Sequence, residues 1–173
     1  MEERGIAVVR PGTSADHPFA FELARRVFSC LGNYGPIVAE WLGRREAAAW
    51  VASEADVRLG IAIVLQWARP GFLAPPLAEL AVIAVSEPRR GEGLGRRLLC
   101  AAEETAREWG AVEMRLHTAA SNAVARAFFA AAGYRLATGT SRYPSGAKAL
   151  EMARSLGDGV AVPQAGRASS SSR

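Results

Sequence analysis

Three glycines in five residues, Gly91, Gly93 and Gly95, stand between an apolar run from Leu77 to Val85 and a stretch beginning at Leu94. In that stretch Leu94, Leu98, Leu99, Ala102, Ala106 and Trp109 return at helical spacing until Gly110. The chain must therefore pass from a buried strand through a tight loop into an amphipathic helix. Glycines let such a loop curl and aim several N–H groups at one anion, and the helix N-terminus adds partial positive charge. Ser86 to Gly95, with Arg89, Arg90, Arg96 and Arg97 around it, reads as a diphosphate cradle. Two common phosphate motifs are excluded. A dinucleotide fingerprint starting at Gly91 requires glycine where Arg96 stands, and no Gly-Lys-Ser/Thr supplies a P-loop.

The rest of the chain builds around this unit. Ile6 to Arg10 is expected as a first strand, ended by Pro11-Gly12. Ser14 or Asp16 is placed to cap a helix carrying Phe19, Leu23, Val27 and Phe28, and Gly32 to Pro36 breaks it before a shorter helix through Trp41. Ala48 to Ser53 and Leu59 to Trp67 form a hairpin across Glu54-Ala55-Asp56, and Arg69-Pro70-Gly71 opens a loop reaching Pro75-Pro76. Beyond the long helix, Met114 to Thr118 is a strand and Asn122 to Ala132 a second strong helix stopped by Gly133. Tyr134 to Ser141 and Ala149 to Arg154 close the domain.

Arg90-Gly91-Glu92-Gly93-Leu94-Gly95 follows the pattern Arg-x-x-Gly-x-Gly and resembles the coenzyme A loop of GNAT acetyltransferases. Asn122-Ala123-Val124-Ala125, the pair Phe128-Phe129 and Gly133-Tyr134 are similar to the second signature of that superfamily. The resemblance runs from about Leu77 to Leu156 and more loosely through the N-terminal half. It implies an α/β fold: a single GNAT-like domain over residues 1–156, with a mixed, mostly antiparallel sheet of about seven strands flanked by about four helices. It also implies acetyl-CoA as cosubstrate. Ile83, Val85, Arg90, Gly91, Glu92, Gly93, Leu94, Gly95, Arg96, Asn122 and Phe129 are the cofactor-binding candidates, with the Val85 amide polarising the thioester carbonyl. No metal is expected.

Acetyl transfer needs a neutral amine, a donor for the developing oxyanion and a fate for the leaving thiolate. Glu79 is the single ionised residue between Leu77 and Val85, and a carboxylate on a central strand is costly unless it is paired. Its place matches the glutamate base of several GNAT enzymes. His117 alternates with Met114 and Leu116 across its strand and titrates near neutrality. Leu116-His117 followed by Ala120-Ser121-Asn122 looks like N-terminal acetyltransferases, where this place holds the base. Structural alternatives stand beside both: an arginine partner for Glu79, and a strand-end backbone group for His117. Many family members carry a tyrosine where this chain has Phe129, and a phenyl ring cannot protonate the leaving sulfur. Water or Tyr143 is the replacement, or the thiol leaves as thiolate, its pKa being near 8.5.

Arg142-Tyr143-Pro144-Ser145-Gly146 through Met152 resembles the final hairpin of ribosomal-protein-type N-terminal acetyltransferases, although a generic Pro-Gly turn explains it equally well. The acceptor is thus an amine, on a peptide N-terminus or a small molecule. A coenzyme A-binding module without catalysis is the second class. A net charge of +4 suits an anionic ligand without amounting to a nucleic-acid-binding tail. Apolar runs are too short for a membrane span, and Met1-Glu2-Glu3-Arg4 opens no export signal, so a cytoplasmic protein is expected. Cys30 and Cys100 match no metal or redox spacing. The Gly, Ala, Pro and Ser bias of residues 157–173 predicts a disordered tail, and a homodimer stays open.

Overall fold

A computed structural model describes residues 6–67 and 76–157. The N-terminal segment Met1 to Arg4, expected to open no export signal, most of the loop from Arg69 and the tail after Gly157 lie outside the described residues. The elements run β1 (Val8–Pro11), α1 (His17–Val27), α2 (Tyr34–Leu42), β2 (Ala47–Glu54), β3 (Val57–Trp67), β4 (Leu77–Val85), α3 (Leu94–Glu108), β5 (Glu113–Ala119), α4 (Ala123–Ala131), β6 (Arg135–Arg142) and β7 (Lys148–Ser155). Short 3-10 turns at Ser14–Asp16 and Glu87–Arg89 precede α1 and the glycine loop. The seven strands form one sheet in the order β1-β2-β3-β4-β5-β7-β6. Neighbours are antiparallel except β4 and β5, which run parallel because α3 carries the chain back between them.

Each face of the sheet is covered. Leu98, Leu99, Ala102 and Ala106 of α3 pack with Ala78, Leu80, Met114 and Leu116, and Phe129 of α4 joins them. On the other face Leu23 and Ala24 of α1 and Val38 of α2 meet Ile61, Ile63, Leu65 and Val82. Burying a leucine-sized side chain contributes about 1.5–3 kcal/mol, so these two layers hold the sheet that carries the site.

The differences from expectation are local. β1 starts at Val8, two residues later than expected, and takes in Pro11 as its last residue opposite Trp50, a position open to proline because β1 is an edge. Asp16, one of the two expected candidates, holds the N-cap position of α1, but its side chain makes no hydrogen bond into that helix. The Thr13 N–H and hydroxyl both donate to Asp16 Oδ2, at 2.8 and 3.1 Å, so Asp16 closes the 3-10 turn ahead of α1. α2 already begins at Tyr34, with Pro36 in its first turn, where a missing N–H costs nothing.

Candidate active site

The site starts from a defect in the sheet. β4 and β5 are registered only from Leu77↔Glu113 to Leu80↔Leu116, and from Ala81 onward the two strands part. Opposite β3 the register slips at Ile63/Val64, leaving Ala81 as an extra residue on β4. Such a bulge re-aims the strand and its side chains. Ser86 N–H donates to Leu59 O at 2.7 Å. By the alternation of an antiparallel ladder, the Ala84 and Val82 amides then face β3, while those of Ile83 and Val85 face the gap. Arg90 Nε reaches Val85 O at 3.3 Å from that side.

The gap widens into a cavity of about 1090 Å³ that runs from the glycine loop past β4 and β5 to the β6–β7 hairpin. At the loop end Gly91 and Gly93 have φ of 81° and 78°. A Cβ built on either meets no atom within 4 Å, so open space lies over this part of the loop. Gly93 is the N-cap of the fifteen-residue α3, whose first N–H groups lack intrahelical partners. Arg90, Gly91, Gly93, Leu94, Gly95 and Arg96 line the cavity, as do Ile83, Val85, Asn122 and Phe129. Glu92 does not line it, and its carboxylate accepts from Arg89. Arg89 also pairs with Glu54, and Arg97 donates to Ala7 O at 2.7 Å. Of the four clustered arginines, Arg89, Arg90 and Arg96 line the cavity; Arg89 is held by two carboxylates, whereas Arg90 lies 3.8 Å from the exposed Glu87. Asn122 Oδ1 accepts from Ala125 N–H at 3.0 Å, the cap expected at the start of α4.

Glu79 and His117, rivals in the sequence, meet in one pair. Parallel registry sets Glu79 opposite Arg115, which brings His117, two residues on along the same face, to 3.5 Å from it, Nδ1 to Oε1. Among the described residues no arginine takes Glu79: its other oxygen, Oε2, accepts from Trp67 Nε1 at 2.8 Å. The carboxylate raises the His117 pKa above its ordinary value against the opposing effect of burial, and Glu151, across the β5–β7 ladder, adds to the rise. Arg115 is occupied by Glu113 at 2.6 Å and Glu151 at 2.9 Å.

At the far end of the cavity stands an aromatic wall. Tyr34 contacts Phe28, Trp41 and Tyr143 with ring centroids 5.3, 6.3 and 6.3 Å apart. Ser145 N–H donates to Leu31 O at 3.1 Å, and a Cβ on Gly32 would stand 2.9 Å from Pro144, so the β6–β7 turn is seated on the α1–α2 connection.

A sequence profile of the Acetyltransferase (GNAT) family matches residues 19–134, from α1 through α4. The chain belongs to the GNAT acetyltransferase family. No curated protein matches it by sequence. Solved GNAT-like structures share the fold at low identity. Ard1 from Thermoplasma volcanium superposes with a TM-score of 0.73 at 19% identity, covering 86% of this chain and 97% of its own. NAA60 from Arabidopsis thaliana in complex with acetyl-CoA gives 0.74 at 13%, covering 87% and 98%. The ribosomal-protein-S18-alanine N-acetyltransferase of Escherichia coli gives 0.64 at 21%, covering 87% and 94%.

Within this GNAT domain Phe129 is 5% exposed and packs edge-on to Phe128 and Tyr134, its centroid 5.1 and 5.8 Å from theirs. It lines the cavity as an apolar wall. Tyr143 lines the same cavity, and burial raises its phenol well above the usual value, so the hydroxyl keeps its proton. Trp67 and Glu151, which adjoin the pair, are not among the residues singled out from the sequence, and Cys30, which matches no metal or redox spacing, lines the cavity. Trp67 carried no signal of its own, because its contact with Glu79 depends on the β3–β4 register. Among the described residues no cluster of three or more His, Cys, Asp or Glu is arranged to hold a metal, and no helix is long and apolar enough to cross a membrane.

Proposed function

We propose that this GNAT domain transfers an acetyl group from acetyl-CoA to a primary amine by direct attack in a ternary complex, with an α-amino group on a peptide or amino acid-like molecule as acceptor. The observation carrying this reading is that one cavity joins an anion cradle at the start of α3 to a His–Glu pair on β5 and β4. The residues fit the cosubstrate: the open positions over Gly91 and Gly93, the α3 N–H groups and the Arg90 and Arg96 guanidiniums would hold its diphosphate. Acetyl-CoA, when bound, supplies an activated thioester carbonyl. The Ile83 and Val85 N–H groups turned into the gap are the donors available to that oxygen. His117, oriented through Nδ1 by Glu79, takes the amine proton at Nε2. Tyr143, held protonated by burial, is the group able to give a proton to the leaving sulfur.

Support for the α-amine comes from the aromatic wall seated beside the pair, together with the fold shared with N-terminal acetyltransferases. The test is release of free thiol from acetyl-CoA with a panel of amines, followed by initial-rate kinetics. Intersecting double-reciprocal lines are expected, with turnover retained in Cys30→Ser. Parallel lines and a trapped acetyl-cysteine would replace direct transfer by a covalent route. No thiol release above background with any amine would leave only a coenzyme A-binding module.

A further inference from the structure

The Glu79 carboxylate has two oxygens with different partners. Oε1 faces His117 Nδ1 at 3.5 Å, and Oε2 accepts from the Trp67 indole at 2.8 Å. Trp67 is the last residue of β3 and pairs with Leu77, so it stands diagonally across the ladder from Glu79, whose direct partner is Leu65. Diagonal neighbours are within reach of aromatic side chains, and an indole N–H, which donates only, can hold a carboxylate in one rotation. The indole is itself covered: the Arg44 guanidinium lies 4.8 Å from its ring centroid. With Trp67 41% exposed, this stack and the hydrogen bond fix a ring that burial alone does not.

We propose that Trp67 is a positioning residue of the active site, holding the Glu79 carboxylate so that its second oxygen faces His117 and fixes the imidazole with Nε2 free for the acceptor. The assignment rests on the reading of His117 as the base. The other charged and titratable groups around the imidazole are Glu151 on β7, Arg115 on its own strand and, on the cavity side, Tyr34 and Tyr143. Glu151 is engaged by Arg115, whereas among the described residues Glu79 is held by Trp67 and His117, the indole N–H being the donor that fixes the oxygen turned away from the imidazole.

The chain contains two histidines, so an NMR titration reads His117 directly, with His17 at the start of α1 as the internal control. Trp67→Phe keeps a ring beneath Arg44 and removes only the donor. The His117 pKa is expected to fall by about half a unit or more toward its ordinary value near 6.5 while His17 is unmoved. Glu79→Gln should lower it further, and Trp67→Phe added to Glu79→Gln should then change nothing more. In turnover, Trp67→Phe should lower kcat several-fold, with the acidic limb of the pH profile moved to lower pH and KM for acetyl-CoA unchanged. An unmoved or higher His117 pKa in Trp67→Phe, or an equal shift in the Glu79→Gln background, would overturn the proposal. The titration needs no turnover, so a correct result in a protein that acetylates nothing refutes the proposed activity and not this contact.

Discussion

Asp16 and His117 are held by neighbours with opposite consequences for pH. Asp16 is 2% exposed and its carboxylate receives Arg10 at 2.8 and 2.9 Å, Arg58 at 2.6 Å and two donors of Thr13. These bonds, Arg10 first, hold its pKa far below the usual carboxylate range. A depressed pKa contributes stability that is complete above the unfolded value near 3.9 and is lost as pH falls below it. Asp16→Asn should cost about 2 kcal/mol at pH 7, on the scale of hydrogen bonds to charged groups, and should flatten the acid limb of a stability profile. Urea unfolding at pH 7 and pH 3 checks both, and an unchanged difference between the two pH values would remove Asp16 as the acid-sensitive group. For His117 the sign reverses: the raised pKa contributes stability below about 6.5 that is lost as pH rises through the folded value. Both partners are about a third exposed, so this contribution is small, less than about 1 kcal/mol. In the proposed role its larger effect falls on chemistry, since a base must be neutral and a raised pKa moves the acidic limb of the rate to higher pH.

The glycine loop and α3 act as one element, and the prediction they carry separates binding from folding. Gly93 has φ of 78° with open space around its missing Cβ, so a side chain there meets strain but no clash within the protein. Gly93→Val should cost about 1–3 kcal/mol of stability and, by filling the cradle, abolish measurable binding of coenzyme A. Calorimetric titration of the folded variant decides it, and undiminished affinity would move the diphosphate elsewhere. This element was readable beforehand because strand, glycines and helix each have their own period or punctuation: the expected bounds Leu77 to Val85 are those of β4, and α3 starts at Leu94. Glu79 and His117 were readable as ionisable residues in costly places. Their union was not, because it follows from the β4–β5 pairing ending at Leu80↔Leu116, which no local pattern encodes. The bulge at Ala81 and the seating of Pro144 against Gly32 were hidden for the same reason, both being products of tertiary register. Composition does not separate the four clustered arginines; tertiary contacts do, with Glu54 and Glu92 on Arg89, the Ala7 carbonyl on Arg97 and the Val85 carbonyl on Arg90.

For the whole molecule the open question is which amine the cavity serves, and the pKa of that amine decides how much help it needs. At pH 7 a lysine side chain, with pKa about 10.4, costs roughly 4.6 kcal/mol to deprotonate, whereas an α-amino group at about 7.7–8.0 costs only about 1–1.4 kcal/mol. The pair offered by β4 and β5 is an imidazole in contact with one carboxylate, half-open to solvent, with no second imidazole or carboxylate among the described residues that line the cavity. Such a base suits the weaker demand. The wall beside it, Phe28, Tyr34, Trp41 and Tyr143, presents aromatic surface to whatever adjoins the reacting nitrogen. A peptide with a free N-terminus is therefore expected to be turned over faster than its N-blocked, lysine-containing counterpart. Glu79→Gln and His117→Ala should each lower the rate most below the acceptor's pKa, by about 100-fold or more for the histidine, and much less at pH 9, where free amine is already abundant. A pH–rate series for both variants against both peptides makes the comparison. Equal or faster turnover of the blocked peptide refutes the α-amine preference. A loss independent of pH shows instead that the pair positions the acceptor and that the proton leaves by another route, for which Tyr143 and Tyr34, both phenols held protonated beside the same cavity, are the next residues to replace with phenylalanine.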